Sequence, residues 1–170
     1  MNPIKIGLLG LGTVGGGTLK VLQRNQEEIR RRAGRGIEVA MIAVRNLDKA
    51  RAIVQEAGAT VPVVNDPFAI VDSPEIDIVV ELIGGYDLTR ELVLRAIANG
   101  KHVVTANKAL LAEHGSELFE RARQLGRSIA FEASVCGGIP IVTAIGQSLA
   151  ANRIESLCGI LNGTSNYIMT

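Results

Sequence analysis

The chain contains no tryptophan, and aromatic residues make up only 3% of it. Surfaces that stack nucleic-acid bases depend on aromatic rings, so that class is disfavoured. No charge sign dominates either. Eighteen Lys and Arg against seventeen Asp and Glu leave a net charge of +1, which marks neither a nucleic-acid nor a polyanion binder. Two cysteines, Cys136 and Cys158, are too few for a disulfide framework. With no secretory leader pattern after Met1, reduced thiols and a cytoplasmic location are expected, with both cysteines acting as small core fillers. No apolar run reaches the roughly 18–20 residues that span a bilayer, so neither a membrane nor a nucleic acid is an expected partner. His102 and His114 have neither each other nor a cysteine at zinc-ligand spacing, and Ser134, Cys136 and Ser165 have no evident base partner for a nucleophile.

The chain is otherwise that of an ordinary globular domain, 47% hydrophobic over 170 residues. Its most informative stretch is Gly10-Leu11-Gly12-Thr13-Val14-Gly15. An apolar run, Ile4-Lys5-Ile6-Gly7-Leu8-Leu9, reads as a buried strand before it, and a helical pattern follows. In that context G-x-G-x-x-G is a dinucleotide-binding signal. The first glycine permits the turn, the second lets a pyrophosphate approach, and the third lets helix and strand pack closely.

Strands and helices then alternate. Residues 13–32 read as a helix ended by Gly34 and Gly36, and 37–45 as a strand. Residues 48–57 read as a helix, 61–64 as a short edge strand with Pro62, and 66–71 as a helix start. Strands at 76–83, 102–105 and 128–132 are separated by helices at 88–98 and 109–124. The pattern predicts an α/β fold, a doubly wound parallel sheet of Rossmann type. At Ala133 the character changes. A small-residue turn over 135–140 precedes a helix at 141–151, a strand at 154–161, a turn at 162–166 and the first turn of another helix. We read 1–133 as the dinucleotide-binding, NAD(P)-type domain and 134–170 as the opening of a second, α+β domain that these residues do not complete.

In such a sheet the ligand lies beyond the carboxyl ends of the strands. Gly10 to Gly15, Arg45, Gly84-Gly85, the Thr105-to-Lys108 segment and Glu132-Ala133-Ser134 all follow strands and are expected on one edge. An Asp or Glu usually ends the second strand and bonds the NAD ribose. Here Arg45 stands there, a fork suited to a 2′-phosphate, which favours NADP. Asp48 is also within reach of a ribose, so NAD stays open. Lys108 could donate to a substrate oxygen or be a plain surface lysine. Glu132 could face a cation, face the cofactor or cap a turn. The basic run Arg30-Arg31-Arg32, with Arg35, is read as a solvated helix end.

Four segments together resemble the homoserine dehydrogenase family. They are Leu9-Gly10-Leu11-Gly12-Thr13-Val14-Gly15, Thr105-Ala106-Asn107-Lys108, Glu132 through Pro140, and Asn162-Gly163-Thr164-Ser165-Asn166-Tyr167-Ile168. The resemblance implies NAD(P)-dependent interconversion of L-aspartate 4-semialdehyde and L-homoserine, on the route to threonine and methionine. It implies cofactor contacts from Gly10, Gly12, Thr13, Val14, Gly15, Arg45, Gly84, Thr105 and Lys108, with Lys108 catalytic. It also implies a sodium ion held by Glu132 and the carbonyls of Val135, Gly137 and Ile139. A homodimer of the monofunctional type is expected for the full-length protein. The family's acidic substrate ligands and a second lysine lie beyond the Asn-Gly-Thr segment, so these residues alone are expected to be a fragment inactive in catalysis. A nucleotide-binding sensor without catalysis is the alternative reading. A dehydrogenase of another small amino-acid-related substrate is disfavoured by the Asn-Gly-Thr-Ser-Asn segment.

Overall fold

A computed structural model describes residues 2–159. Six strands form one parallel sheet: β1 Ile4–Leu9, β2 Ile37–Ala43, β3 Val63–Val64, β4 Ile78–Glu81, β5 His102–Thr105 and β6 Ile129–Ala130. Their order is β3-β2-β1-β4-β5-β6. The helices are α1 Thr13–Arg24, α2 Gln26–Ala33, α3 Leu47–Glu56, α4 Phe68–Asp72, α5 Asp87–Ala98, α6 Lys108–Gln124 and α7 Ile141–Thr143.

The sheet is covered on both faces, which is why its strands read as continuous apolar runs. Side chains alternate along each strand. Ile6 and Leu8 of β1 enter one core with Leu19 of α1, Ile42 of β2 and Val54 of α3. Leu9 enters the other, with Ile70 of α4, Val79, Leu92 and Ile97 of α5, and Leu110 and Leu118 of α6. Leu8 and Leu9 are both fully buried, and each contributes about 1.5–3 kcal/mol by leaving water.

Several elements differ from the sequence reading. The helix expected over 13–32 breaks at Asn25, a poor helix former. Its φ of −105° and ψ of 21° end α1 and start α2, whose Gln26 amide reaches over to the Ile37 carbonyl at 3.1 Å. Val63–Val64 does lie at the sheet edge, and the Pro62 carbonyl accepts from Ile42 N–H. The strand expected over 128–132 shortens to β6, and Glu132–Ser134 forms a 3₁₀ turn. The helix expected over 141–151 is α7, followed by a wider helical turn over Ala144–Ser148. Residues 154–159 form no strand, because among the described residues no ladder runs beside them. The rest of that segment, and the readings at 162–170, lie outside the described residues. The cysteines are not core fillers: Cys158 is exposed, and Cys136 is half-buried in a turn at φ 48°.

Candidate functional site

The chain leaves β1 on one side toward β2 and later returns on the other side as β4. At such a reversal the loops after neighbouring strands diverge and leave a crevice. A cleft of about 910 Å³ lies there, lined by Gly10, Gly12, Arg45, Lys49, Asn65, Ile83, Gly84 and Tyr86 among others. Four expected residues, Gly10, Gly12, Arg45 and Gly84, therefore line one cleft. No described helix is long and apolar enough to cross a membrane.

The glycine loop is shaped by close approach. Gly10 takes a φ of +101°, and its N–H donates to the Ala43 carbonyl at 2.9 Å. A Cβ on Gly15 would stand 2.4 Å from the Gly10 carbonyl oxygen, so helix and loop fit only with glycine there. A Cβ on Gly12 would meet no protein atom within 4 Å. Among the described residues nothing requires glycine at that position, which lines the cleft. Gly12 also begins α1 without a side-chain cap, and the first turn carries no acidic residue. Its free N–H groups and the positive end of the helix dipole suit an anion. Thr13 and Val14 are exposed on that first turn, whereas Gly15 is buried beneath it.

By contrast α3 and α6 are capped. The Asn46 side chain accepts from Lys49 N–H, and the Asn107 side chain accepts from Leu110 N–H. The first turn of α3 brings Lys49 to the same wall as Arg45, both exposed. The sequence reading missed Lys49; its signal was a second cation four residues on, at a helix start. Asp48 instead pairs with Arg51 at 3.2 Å.

On the β4–β5 side the organising group is Glu81, also missed, although a lone carboxylate closing an apolar strand was its signal. It is fully buried. One carboxylate oxygen accepts from Ile83 N–H (2.9 Å) and Gly84 N–H (3.2 Å), and the other accepts the Thr105 hydroxyl at 2.6 Å. The Thr105 side chain is thus occupied inside the protein and is only 1% exposed. Its oxygen accepts from Asn107 N–H at 3.0 Å, and the Asn107 amide donates to the Gly85 carbonyl at 2.6 Å. Lys108 follows, exposed at the first position of α6. The Ser134 hydroxyl donates to the Thr105 carbonyl at 2.9 Å, tying the 3₁₀ turn to the same strand end.

Glu132 caps a helix start. Its carboxylate accepts from Val142 N–H (2.9 Å), Thr143 N–H (3.0 Å) and the Thr143 hydroxyl (2.6 Å). The hydroxyl first, then the two amides, hold its pKa below the ordinary glutamate range. The Ile139 carbonyl accepts from Ile141 N–H at 2.8 Å.

A family model described as homoserine dehydrogenase, NAD binding domain, matches residues 10–132, and one described as homoserine dehydrogenase matches 140–170. The chain is 60% identical over 170 residues to a homoserine dehydrogenase of Pseudomonas aeruginosa and 52% identical to one of Neisseria gonorrhoeae. Each alignment covers 100% of this chain and 38% of the relative. A crystal structure of a homoserine dehydrogenase from Thiobacillus denitrificans matches with a TM-score of 0.92 at 62% identity, over 99% of this chain and 38% of that one. The chain therefore spans 38% of the length of each of these three relatives.

Proposed function

The chain belongs to the homoserine dehydrogenase family, and from that premise we propose that it holds the cofactor for interconversion of L-homoserine and L-aspartate 4-semialdehyde. Residues 1–133 would be the NAD(P)-binding domain and 134–170 the beginning of the substrate domain. The observation that carries the reading is the glycine loop. Gly15 is glycine because the protein needs the room, and Gly12 is glycine where the protein does not. A pyrophosphate between Gly12 and the uncapped start of α1 fits that space.

The bound nicotinamide would accept or return the hydride. The chain's own residues would bind and orient. N–H groups of Thr13 and Val14 at the start of α1 would face the phosphates. Arg45, supported by Lys49, would hold a 2′-phosphate, which favours NADP over NAD. Gly84 would lie along the nicotinamide side, with the Thr105-to-Lys108 segment beyond it. Lys108 would donate a hydrogen bond to the substrate oxygen as charge develops there. The sodium reading draws only on an all-oxygen donor set, Glu132 with the carbonyls of Val135, Gly137 and Ile139. The Glu132 carboxylate and the Ile139 carbonyl also accept bonds within the turn, and each keeps lone pairs that would be open to a cation.

The test is a chimera in which these 170 residues replace the matching part of the Pseudomonas aeruginosa relative. It should oxidise homoserine with NADP in preference to NAD. Lys108→Met should lower kcat by about 10²-fold or more, and Arg45→Ala should raise KM for NADP while leaving NAD little changed. A chimera that binds NADPH yet never turns over would favour the sensor reading. An unchanged preference in Arg45→Ala would overturn the cofactor assignment.

A further inference from the structure

We infer that Glu81 is a positioning residue for the nicotinamide half of the cleft: its buried carboxylate locks the loop after β4 to the loop after β5, and so fixes where Thr105 and Lys108 stand. The inference rests on the dinucleotide reading above. Glu81 and Thr105 are direct partners in the β4–β5 ladder, so carboxylate and hydroxyl meet across one register position at 2.6 Å. The bonds then close a ring. Glu81 holds the amides of Ile83 and Gly84, and Thr105 holds the amide of Asn107. Asn107 holds the Gly85 carbonyl with one end of its side chain and caps α6 with the other. The Thr89 hydroxyl adds a bond to the Gly84 carbonyl at 3.0 Å. Lys108 is the next residue along that ring.

A wish for stability alone does not explain this arrangement. Two apolar side chains at the same ladder position would pack without the cost of desolvating a carboxylate. What the carboxylate adds is selection of one loop conformation. Gly84 and Gly85 both have positive φ, +80° and +73°, and two consecutive glycines have many alternatives. Glu81 acts on the first of them and Asn107 on the second. Arg45 and Lys49 line the same cleft, yet among the described residues no hydrogen bond or ion pair joins their side chains to this ring. The two halves of the cleft are therefore separable.

That separation supplies the test. Wild-type chain and Glu81→Gln are titrated with NADPH and with adenosine 2′,5′-bisphosphate, which carries the adenine end and the 2′-phosphate but no nicotinamide. In Glu81→Gln one carboxylate oxygen becomes an amide NH2, so the side chain can no longer accept the Thr105 hydroxyl and the two loop N–H groups at once. NADPH affinity is expected to fall about tenfold, with affinity for the bisphosphate unchanged within twofold. Thr105→Val removes the same bond from the other side and should repeat the pattern; it carries the test alone if Glu81→Gln does not fold. Equal loss for both ligands, or loss for neither, overturns the inference while leaving the cofactor reading intact. A wild-type chain that binds neither ligand overturns the cofactor reading itself, and the inference with it.

Discussion

Lys101 and Glu81 are both charged and both buried, and they sit at opposite ends of the sheet. Lys101 precedes β5 and is 3% exposed. Its ammonium donates to the carbonyls of Ser73 and of Ile76, the latter at 2.9 Å, and closes the turn between α4 and β4. Burial pushes its pKa down, with Asp77 and then Asp72 opposing the shift. Glu81 ends β4 and receives two loop amides and a hydroxyl. The physics is the same in both places, a buried charge made tolerable by hydrogen bonds that fix backbone. The difference lies in what is fixed. Lys101 holds a turn remote from the cleft, whereas Glu81 holds the cleft wall. A buried charge thus marks a place where one conformation is being selected, and only its partners say whether that conformation serves folding or binding.

The contrast is broken hardest at Lys101. Lys101→Met removes the ammonium from the Ser73 and Ile76 carbonyls, leaving Ser73 only the longer bond from Ile76 N–H, and should cost about 2–3 kcal/mol of stability, measured by urea unfolding. The ratio of NADPH affinity to bisphosphate affinity should not move. A stability loss below about 0.5 kcal/mol, the range of ordinary surface changes, would show that Lys101 does not hold the turn. A changed ligand ratio would erase the distinction between the two ends.

The next test is made within the glycine loop, where two like substitutions should part company. Gly15→Ala forces a Cβ against the Gly10 carbonyl, 2.4 Å away, and should destabilise by about 1–3 kcal/mol. Gly12→Ala meets open space and should change stability by less than about 0.5 kcal/mol, yet weaken NADPH binding at least tenfold. Full-strength NADPH binding by Gly12→Ala would show that the dinucleotide does not pass over Gly12.

These cases also show how far the sequence could be read. The parallel sheet was legible because each strand is a local apolar run and each connection a local helical pattern. The place of the glycine loop at the cleft was legible because strand, turn and helix are contiguous, and that of Arg45 because it follows a strand end. The bonds of Glu81 were not, since Thr105 is 24 residues away and nothing local says that the two strands are neighbours in register. Lys101 was hidden for the same reason: its carbonyl partners lie 25 and 28 residues back. Lys49 needed the first turn of α3 to be drawn before it met Arg45. Glu132 was open to three readings, and the cap it forms depends on α7 folding back upon it.

The smallest expected effect lies beside Lys101, at Asp72. Its carboxylate grips Arg95 through two bonds of 2.6 Å and accepts from the Asn99 amide at 3.0 Å. The Arg95 guanidinium also stacks over the Phe68 ring at 5.1 Å. Chiefly through Arg95, the Asp72 pKa lies below the ordinary aspartate value. A carboxyl whose folded pKa is lowered binds fewer protons folded than unfolded, so stability falls as pH falls across that interval. The contribution is complete above the unfolded value of about 3.9 and is lost as pH drops through the lower folded one. Because the pair is solvent-exposed and screened, the effect should be small. Urea midpoints for wild type and Asp72→Asn should therefore stay apart at pH 6 and converge from about pH 4 to about pH 2, with NADPH affinity at pH 6 equal in both. Midpoints that stay equally separated across that range would mean that Asp72 contributes through packing and not through its charge. The turn held by Lys101 would then be independent of the ion pair beside it.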